Sequence, residues 1–79
     1  MGEDNVEPGE TLDLKGLKCP LPALIAKRAL LRRAKGHVVE VIADDPLAAV
    51  DLPHMCRAEN FEVLELLREG DITRLRVRR

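Results

Sequence analysis

Apolar and polar side chains alternate most regularly near the C-terminal end of the chain. Between Ile72 and Arg78, Leu75 and Val77 alternate with arginines, which is the two-residue period of a strand with one buried face. Residues 61–67 are rich in apolar side chains and also predict a strand. The segment Arg-Glu-Gly-Asp at 68–71 lies between the two and predicts the turn of an antiparallel hairpin.

Two further strands are predicted nearer the N-terminus. Thr-Leu-Asp-Leu at 11–14 alternates polar with apolar residues and stops before Gly16, which indicates a short first strand. Residues 37–43, His-Val-Val-Glu-Val-Ile-Ala, are rich in β-branched side chains. Such a composition favours a strand in the centre of a sheet.

Two helices are predicted between these strands. Residues 20–34 consist largely of Ala, Leu, Lys and Arg, which are good helix formers. A second helix is predicted up to about residue 60, with Asp45 as its N-cap and Pro46 as its first helical residue. Pro53 lies inside that second helix and predicts a kink or a break there.

The predicted order of elements is β-α-β-α-β-β. Strand–helix–strand units favour parallel strands with right-handed crossovers, and the last two strands form an antiparallel hairpin. We therefore expect a two-layer α/β sandwich, in which both helices cover one face of a mixed four-stranded sheet. Residues 1–9 show no periodicity and are interpreted as a flexible N-terminal tail, so that residues 10–79 would form a single domain.

Size, composition and charge narrow the possible functions. A chain of 79 residues has room for one modest core, and a net charge of -1 with a single aromatic residue gives no reason to expect direct nucleic-acid binding. No apolar run approaches the roughly 20 residues that span a bilayer, and the acidic N-terminus resembles no targeting peptide. The sequence thus predicts a cytoplasmic protein without a membrane segment, and a monomer is expected.

The segment Gly-Leu-Lys-Cys-Pro-Leu-Pro at 16–22 contains the candidate reactive group. Cys19 directly precedes the first helix, whose first turn includes Pro20 and Pro22, so that the thiol falls at or beside the N-cap. The free N–H of Leu21 and the positive end of the helix dipole favour a thiolate there. Two lysines add positive charge, and together these features predict a lowered thiol pKa and a nucleophilic cysteine; the lysines are Lys15 and Lys18.

Several kinds of thiol chemistry can be compared with this pattern. A Cys-x-x-Cys pair is absent because Pro22 occupies the fourth position, and neither His37 nor His54 has a motif-like spacing to Cys19 as a general base. A group carrier needs only an exposed thiol on a rigid support, which fits best, although a buried structural cysteine remains the simple alternative. Cys56 is interpreted as a core cysteine, with a resolving thiol as the minority interpretation. No metal site is predicted, because the cysteines and histidines lack paired ligand spacing.

The first helix also predicts a docking surface. One helical face consists of Ala23, Ala26, Leu30 and Ala34, which is the natural core face. Other apolar residues then lie in the first turns beside Cys19, and we expect them to form an exposed apolar collar that docks partner proteins. The collar and its charged rim comprise Leu21, Leu24, Ile25, Lys27 and Arg28, with Asp45 of the second helix as a further candidate contact.

The cysteine segment resembles a known family. Leu12-Asp13 followed by the segment 16–22 is similar to the Cys-Pro-x-Pro signature of the TusA sulfur carriers, also called SirA-like proteins. Ile-Ala-Asp-Asp-Pro at 42–46, Asp-Leu-Pro at 51–53 and Cys56 resemble the second characteristic stretch of that family. The similarity extends from about Thr11 to Arg79.

The resemblance implies the same sandwich fold and a sulfur-carrier function. Cys19 would accept sulfane sulfur as a persulfide from a cysteine desulfurase or a rhodanese and pass it to a downstream sulfur-relay protein, in tRNA 2-thiouridine synthesis or in sulfur oxidation. No metal or organic cofactor is implied. Leu21 occupies the variable motif position, where members that serve tRNA thiolation often have an acid, so the partner is left open. Two alternatives remain: a regulatory or RNA-binding module, and a thiol redox protein that uses Cys19 with Cys56.

Overall fold

The computed structural model describes residues 10–79, so the tail predicted at 1–9 lies outside the described residues. The order of elements is β-α-β-α-β-β, as predicted. Their bounds are β1 Glu10–Asp13, α1 Leu21–Leu31, β2 Val38–Ala43, α2 Ala48–Ala58, β3 Glu62–Glu69 and β4 Ile72–Arg78.

The four strands form one mixed sheet in the order β1-β2-β4-β3. β1 pairs with β2 in parallel, and β4 lies antiparallel to both β2 and β3. The hairpin turn is shorter than predicted, because β3 continues to Glu69 and only Gly70 and Asp71 lie between the strands. Gly70 has a φ of 59°, a left-handed conformation that a two-residue hairpin turn commonly requires.

Both helices pack on the same face of the sheet, which confirms the predicted two-layer α/β sandwich. The two-residue period of β2 and β4 places their apolar side chains on that face, where the two helices cover them. α1 and α2 each contribute residues at spacings of three and four. The buried cluster includes Val39, Val41, Leu75 and Val77 of the strands with Ala26, Leu30, Leu52, Met55 and Cys56 of the helices.

The opposite face of the sheet carries the arginines of β4, as the alternation predicts. Each arginine pairs with a glutamate of a neighbouring strand, an arrangement that adds little stability at such exposed sites. The N–O distances are 3.7 Å for Arg74–Glu40, 3.1 Å for Arg76–Glu65 and 2.8 Å for Arg78–Glu62.

α1 ends at Leu31, three residues before its predicted end at Ala34. Its last turn is closed by the N–H groups of Arg32 and Arg33, which donate to the carbonyl groups three residues earlier. The Arg33 guanidinium is bound to the carboxylate of Glu10 in β1, and Ala34 is exposed, so no apolar contact favours a further helical turn.

α2 differs from its prediction at its start and at Pro53. It begins at Ala48 rather than Pro46, after a turn in which the Ala48 N–H donates to the Asp45 carbonyl at 2.9 Å. The predicted break is wrong, because the helix continues through Pro53. Leu52 and Met55 are buried on either side of the proline, and their packing offsets the loss of one backbone hydrogen bond.

Within residues 10–79, neither helix has the length and apolar character that crossing a membrane requires.

Candidate functional site

The segment between β1 and α1 holds Cys19 at one end of the sheet. The pairing of β1 with β2 continues one residue beyond the strand, since the Leu14 N–H donates to the Ile42 carbonyl at 2.7 Å. The chain then turns at Gly16, whose φ of 89° is accessible to glycine at little cost. The Cys19–Pro20 peptide bond is cis, and Pro20 is the N-cap residue of α1.

Two aspartates from the β2–α2 loop fix this segment. The carboxylate of Asp44 accepts the Gly16 N–H at 2.9 Å, and the carboxylate of Asp45 accepts the Cys19 N–H at 3.2 Å. These bonds place the backbone of Cys19 against the start of α2. A hydrogen bond from a backbone N–H to a carboxylate is strong because the acceptor is charged. The two bonds therefore restrict the position of the Cys19 backbone and, with it, that of the thiol.

The predictions made for Asp45 are therefore corrected. Its carboxylate binds the Cys19 backbone and does not cap α2, whose N-cap is Leu47 without a side-chain hydrogen bond. Asp45 is only 7% exposed, so little of its side chain is open to a partner protein. Its position at the helix start suggested a cap, whereas the carboxylate turns to a residue 26 positions earlier.

The thiol of Cys19 is exposed and contacts a third aspartate. Its S–H donates to Oδ2 of Asp51, in the first turns of α2, with an S–O distance of 2.9 Å. This hydrogen bond is the main cause that raises the pKa of the Cys19 thiol, followed by partial loss of water and by the negative charges of Asp51 and Asp45. The expectation of a lowered thiol pKa is wrong for the chain alone, because acidic groups surround the sulfur.

The groups predicted to stabilise a thiolate are placed differently. The ammonium group of Lys15 lies 3.5 Å from the Asp13 carboxylate, and Lys18 is exposed. The Leu21 N–H donates to the Lys18 carbonyl at 2.8 Å and is thus not free for the sulfur. Pro20 and Pro22 have no N–H, so the first turn offers few donors to an anion.

Cys56 lies in the core, as its position on the second helix predicted. Its side chain is fully buried in the cluster beneath α2. Burial raises the pKa of the Cys56 thiol to about 11, because the apolar core disfavours the thiolate. These properties disfavour the interpretation of Cys56 as a resolving thiol, since thiol exchange requires an accessible thiolate.

The predicted apolar collar is exposed only in part. Leu21 and Leu24 are 45% and 53% exposed, whereas Ile25 is half-buried and packs against the core. The buried stripe of α1 consists of Pro22, Ala26 and Leu30. Ile25 follows Pro22 by three residues, so one side of its side chain meets this stripe. Ile25 is thus mainly a packing residue.

The N-cap residue of α2, Leu47, is a further exposed leucine that the sequence interpretation did not include. Leu47 is 52% exposed, and its carbonyl accepts the Asp51 N–H at 2.8 Å, so the two residues lie one turn apart at the start of α2. We call Leu21, Leu24 and Leu47 the apolar rim. Beside it, a groove of about 230 Å³ runs along α1, lined by Leu24, Lys27, Arg28 and Leu31.

The charged residues of this groove differ in their contacts. The Lys27 ammonium group pairs with the Glu59 carboxylate at 3.1 Å, which holds it toward α2. Arg28 is exposed on the outer side of α1.

In the described part of the chain, no group of three or more His, Cys, Asp or Glu side chains is arranged to hold a metal ion.

Three comparisons show which known proteins this chain is similar to. The family model described as sulfurtransferase TusA matches residues 10–79. Two proteins of Neisseria meningitidis, from serogroups A and B and each named "putative sulfur carrier protein", are 46% identical over 56 residues, which covers 71% of this chain and 76% of the relative. The crystal structure of a SirA-like protein from Desulfitobacterium hafniense superposes with a TM-score of 0.76 at 27% identity, covering 87% of this chain and 95% of that one.

Proposed function

The chain belongs to the TusA sulfurtransferase family and has the role of a sulfur carrier, and we propose that it carries the sulfur on Cys19 as a persulfide. The observation that supports this choice is the contrast between the two thiols. Cys19 is exposed on a segment that two aspartates anchor, whereas Cys56 is buried in the core. A carrier thiol must reach the reacting sulfur of another protein, and only Cys19 meets that requirement.

Loading is a nucleophilic substitution at sulfur. The deprotonated sulfur of Cys19 attacks the outer sulfur of a donor persulfide, so that a new S–S bond forms and the donor S–S bond breaks. The donor cysteine leaves as a thiolate and takes up the proton that Cys19 released. The sulfane sulfur changes its carrier without net oxidation or reduction, and unloading to an acceptor thiolate repeats the same exchange in the opposite sense.

A sulfur carrier exchanges sulfur with a donor and with an acceptor protein, and both must approach the same thiol. We propose a cysteine desulfurase or a rhodanese as the donor and a downstream relay protein as the acceptor. The apolar rim supplies the contact area, because exposed leucines beside a reactive group are typical of a docking site. Lys27 and Arg28, in the adjoining groove, are the charged contacts of this proposal.

Replacement of Leu24 by arginine tests the docking surface. We expect Leu24→Arg to slow sulfur uptake from the donor by about tenfold, the effect of removing one interface residue that contributes about 1.4 kcal/mol. The matched control is Leu66→Arg, because Leu66 is similarly exposed, at 43%, but lies on the edge strand β3. Equal slowing in the two variants, or unfolding of Leu24→Arg in a thermal melt, would contradict this role of the rim.

The function itself is tested by measuring sulfane sulfur on the purified chain. After incubation with a cysteine desulfurase, pyridoxal phosphate and cysteine, the chain is separated from the donor and treated with cyanide, which removes sulfane sulfur as thiocyanate. We expect one sulfane sulfur per chain, and none after prior treatment with a thiol reductant. A chain that releases no thiocyanate with either a desulfurase or a rhodanese as donor would contradict the proposed loading.

A further inference from the structure

The Cys19 thiol lies in an acidic environment that the carrier reaction does not by itself explain. Asp51 of α2 accepts the S–H at 2.9 Å, and Asp45 of the β2–α2 loop accepts the backbone N–H of the same residue at 3.2 Å. On the segment of Cys19 itself, Lys15 is paired with Asp13. Lys18 is the neighbouring cation, and it is exposed to water, which screens its charge.

We propose that Asp51 is a positioning residue that keeps the unloaded Cys19 protonated and restricts sulfur exchange to partners that present a cationic side chain to the thiol. The proposal rests on the carrier function of Cys19 and adds the kind of partner surface that the site accepts. It assigns to Asp51 a role in selectivity, since the carboxylate acts on the reaction through the thiol.

The contact between Asp51 and Cys19 depends on the hydrogen of the thiol. A thiol that donates its proton to a carboxylate is a poor nucleophile, because the reactive species is the thiolate and a second negative charge beside Asp51 is unfavourable. Reaction with small electrophiles, and with the disulfides or persulfides of non-partner molecules, is thus slowed by the ionisation state of Cys19. No other part of the chain need cover the sulfur, which is exposed.

A partner with a lysine or arginine near its own reactive sulfur removes this restriction. Its cation pairs with the Asp51 carboxylate, which then no longer holds the S–H, and the positive charge stabilises the thiolate. Deprotonation is thereby coupled to docking, and the donor cysteine, which leaves as a thiolate, takes up the proton that Cys19 releases. The exposed Leu47, which lies one turn from Asp51 at the start of α2, would contact the apolar part of such a long side chain.

The contact also differs between the loaded and unloaded carrier. In a persulfide the inner sulfur is bonded to carbon and to the outer sulfur, so it has no hydrogen to donate to Asp51. An ionised outer sulfur and the carboxylate repel each other, which favours an orientation of the persulfide away from α2 and toward an acceptor. Asp51 thus keeps the thiol of the unloaded carrier protonated and directs the persulfide of the loaded carrier toward an acceptor.

The first test is the pH dependence of Cys19 alkylation by iodoacetamide, a neutral reagent, in the full chain. We expect Asp51→Asn to lower the midpoint of the rate profile and to raise the rate at pH 7.5 by about fivefold, the scale of one unit charge at about 4 Å in water. Asp51→Glu, which keeps the charge, should restore most of the wild-type profile. Glu62→Gln at the opposite end of the sheet removes the same charge and should leave the profile unchanged.

The second test is the rate of thiol–disulfide exchange with three small disulfides of different charge. Cystamine is cationic, 2-hydroxyethyl disulfide is neutral and dithiodipropionate is anionic; in each exchange Cys19 gains one half of the reagent and the other half leaves as a thiol. We expect wild type to react fastest with cystamine and slowest with the anion. The ratio of these two rates, from which the thiolate fraction cancels at fixed pH, should fall by about fivefold in Asp51→Asn.

The outcomes separate this inference from the carrier function. An alkylation midpoint or a charge ratio that is the same in wild type and Asp51→Asn would overturn the role of Asp51, even in a chain that loads sulfur normally. Both expected shifts in a chain that takes up no sulfane sulfur would support the charge selectivity and overturn the carrier function. Neither test uses a sulfur donor, and thermal melting of Asp51→Asn shows whether the fold is retained.

Discussion

The Leu52→Ala variant is expected to lose about 2–5 kcal/mol of unfolding free energy, the usual cost of emptying a leucine site in a packed core. Leu52 is fully buried in the cluster between α2 and the sheet. A chain of 79 residues has a total stability of about 4–12 kcal/mol, at about 0.05–0.15 kcal/mol per residue. This single change therefore removes a large part of the stability, and urea denaturation monitored by circular dichroism measures it.

The matched control for Leu52→Ala is Val50→Ala in the same helix. Val50 is 65% exposed, so its truncation should change the unfolding free energy by no more than about 0.5 kcal/mol. Alanine is also a better helix former than valine, which opposes any loss. Equal destabilisation by the two substitutions would show that α2 does not pack on the sheet through Leu52.

The Cys19→Ser variant is expected to lose sulfur uptake completely. Serine has nearly the same shape, and its backbone N–H can still donate to Asp45, but its hydroxyl is not a nucleophile without an activating base. In the variant the serine hydroxyl can donate the same hydrogen bond to the Asp51 carboxylate, so the position of the side chain is retained and only the nucleophile is lost. The donor is supplied with cysteine that carries radioactive sulfur, and the transfer of this sulfur to the variant is measured. The rate should fall to that of a control without the carrier protein.

Cys56→Ala is the control for the loss of a thiol as such. Its thiol is buried, so the variant should still load sulfur at the wild-type rate, although the cavity that it leaves lowers the stability. Reduced loading in Cys56→Ala under conditions where the chain is folded would indicate a second sulfur site. Such a result would also restore the redox alternative that uses both cysteines.

The elements of this fold could be predicted because each has a local pattern. The alternation of Leu75 and Val77 with arginines reports which side of β4 is buried, and the structure places these two residues in the core and the arginines on the open face. The order of elements then fixes the crossovers, since few topologies satisfy the handedness of strand–helix–strand units. The sandwich therefore follows from the sequence alone.

The contacts of the site could not be predicted in the same way. Asp45 and Asp51 reach Cys19 from positions 26 and 32 residues later in the chain, and no local period relates such residues. Propensity assigned Asp45 to the cap of its own helix, and the neighbouring lysines suggested a thiolate. These two carboxylates, which are distant in the sequence, raise the pKa of the Cys19 thiol and outweigh the local features. The predicted direction of the pKa shift was wrong for this reason.

The end of the first helix illustrates the same limit. Composition alone extends it to Ala34, because alanine and arginine both favour a helix. In the structure the helix ends at Leu31. Two residues later the Arg33 guanidinium is bound to the carboxylate of Glu10, which belongs to β1. Tertiary contacts at the ends of elements therefore decide boundaries that propensity leaves open.

The most direct test of the central claim is the intact mass of the chain after incubation with a cysteine desulfurase, pyridoxal phosphate and cysteine. We predict a gain of one sulfur atom in wild type, reversal of that gain by a thiol reductant, and no gain in Cys19→Ser. The same mass gain in Cys19→Ser, or no gain in wild type with any persulfide donor, would contradict the assignment of Cys19 as the residue that carries the sulfur.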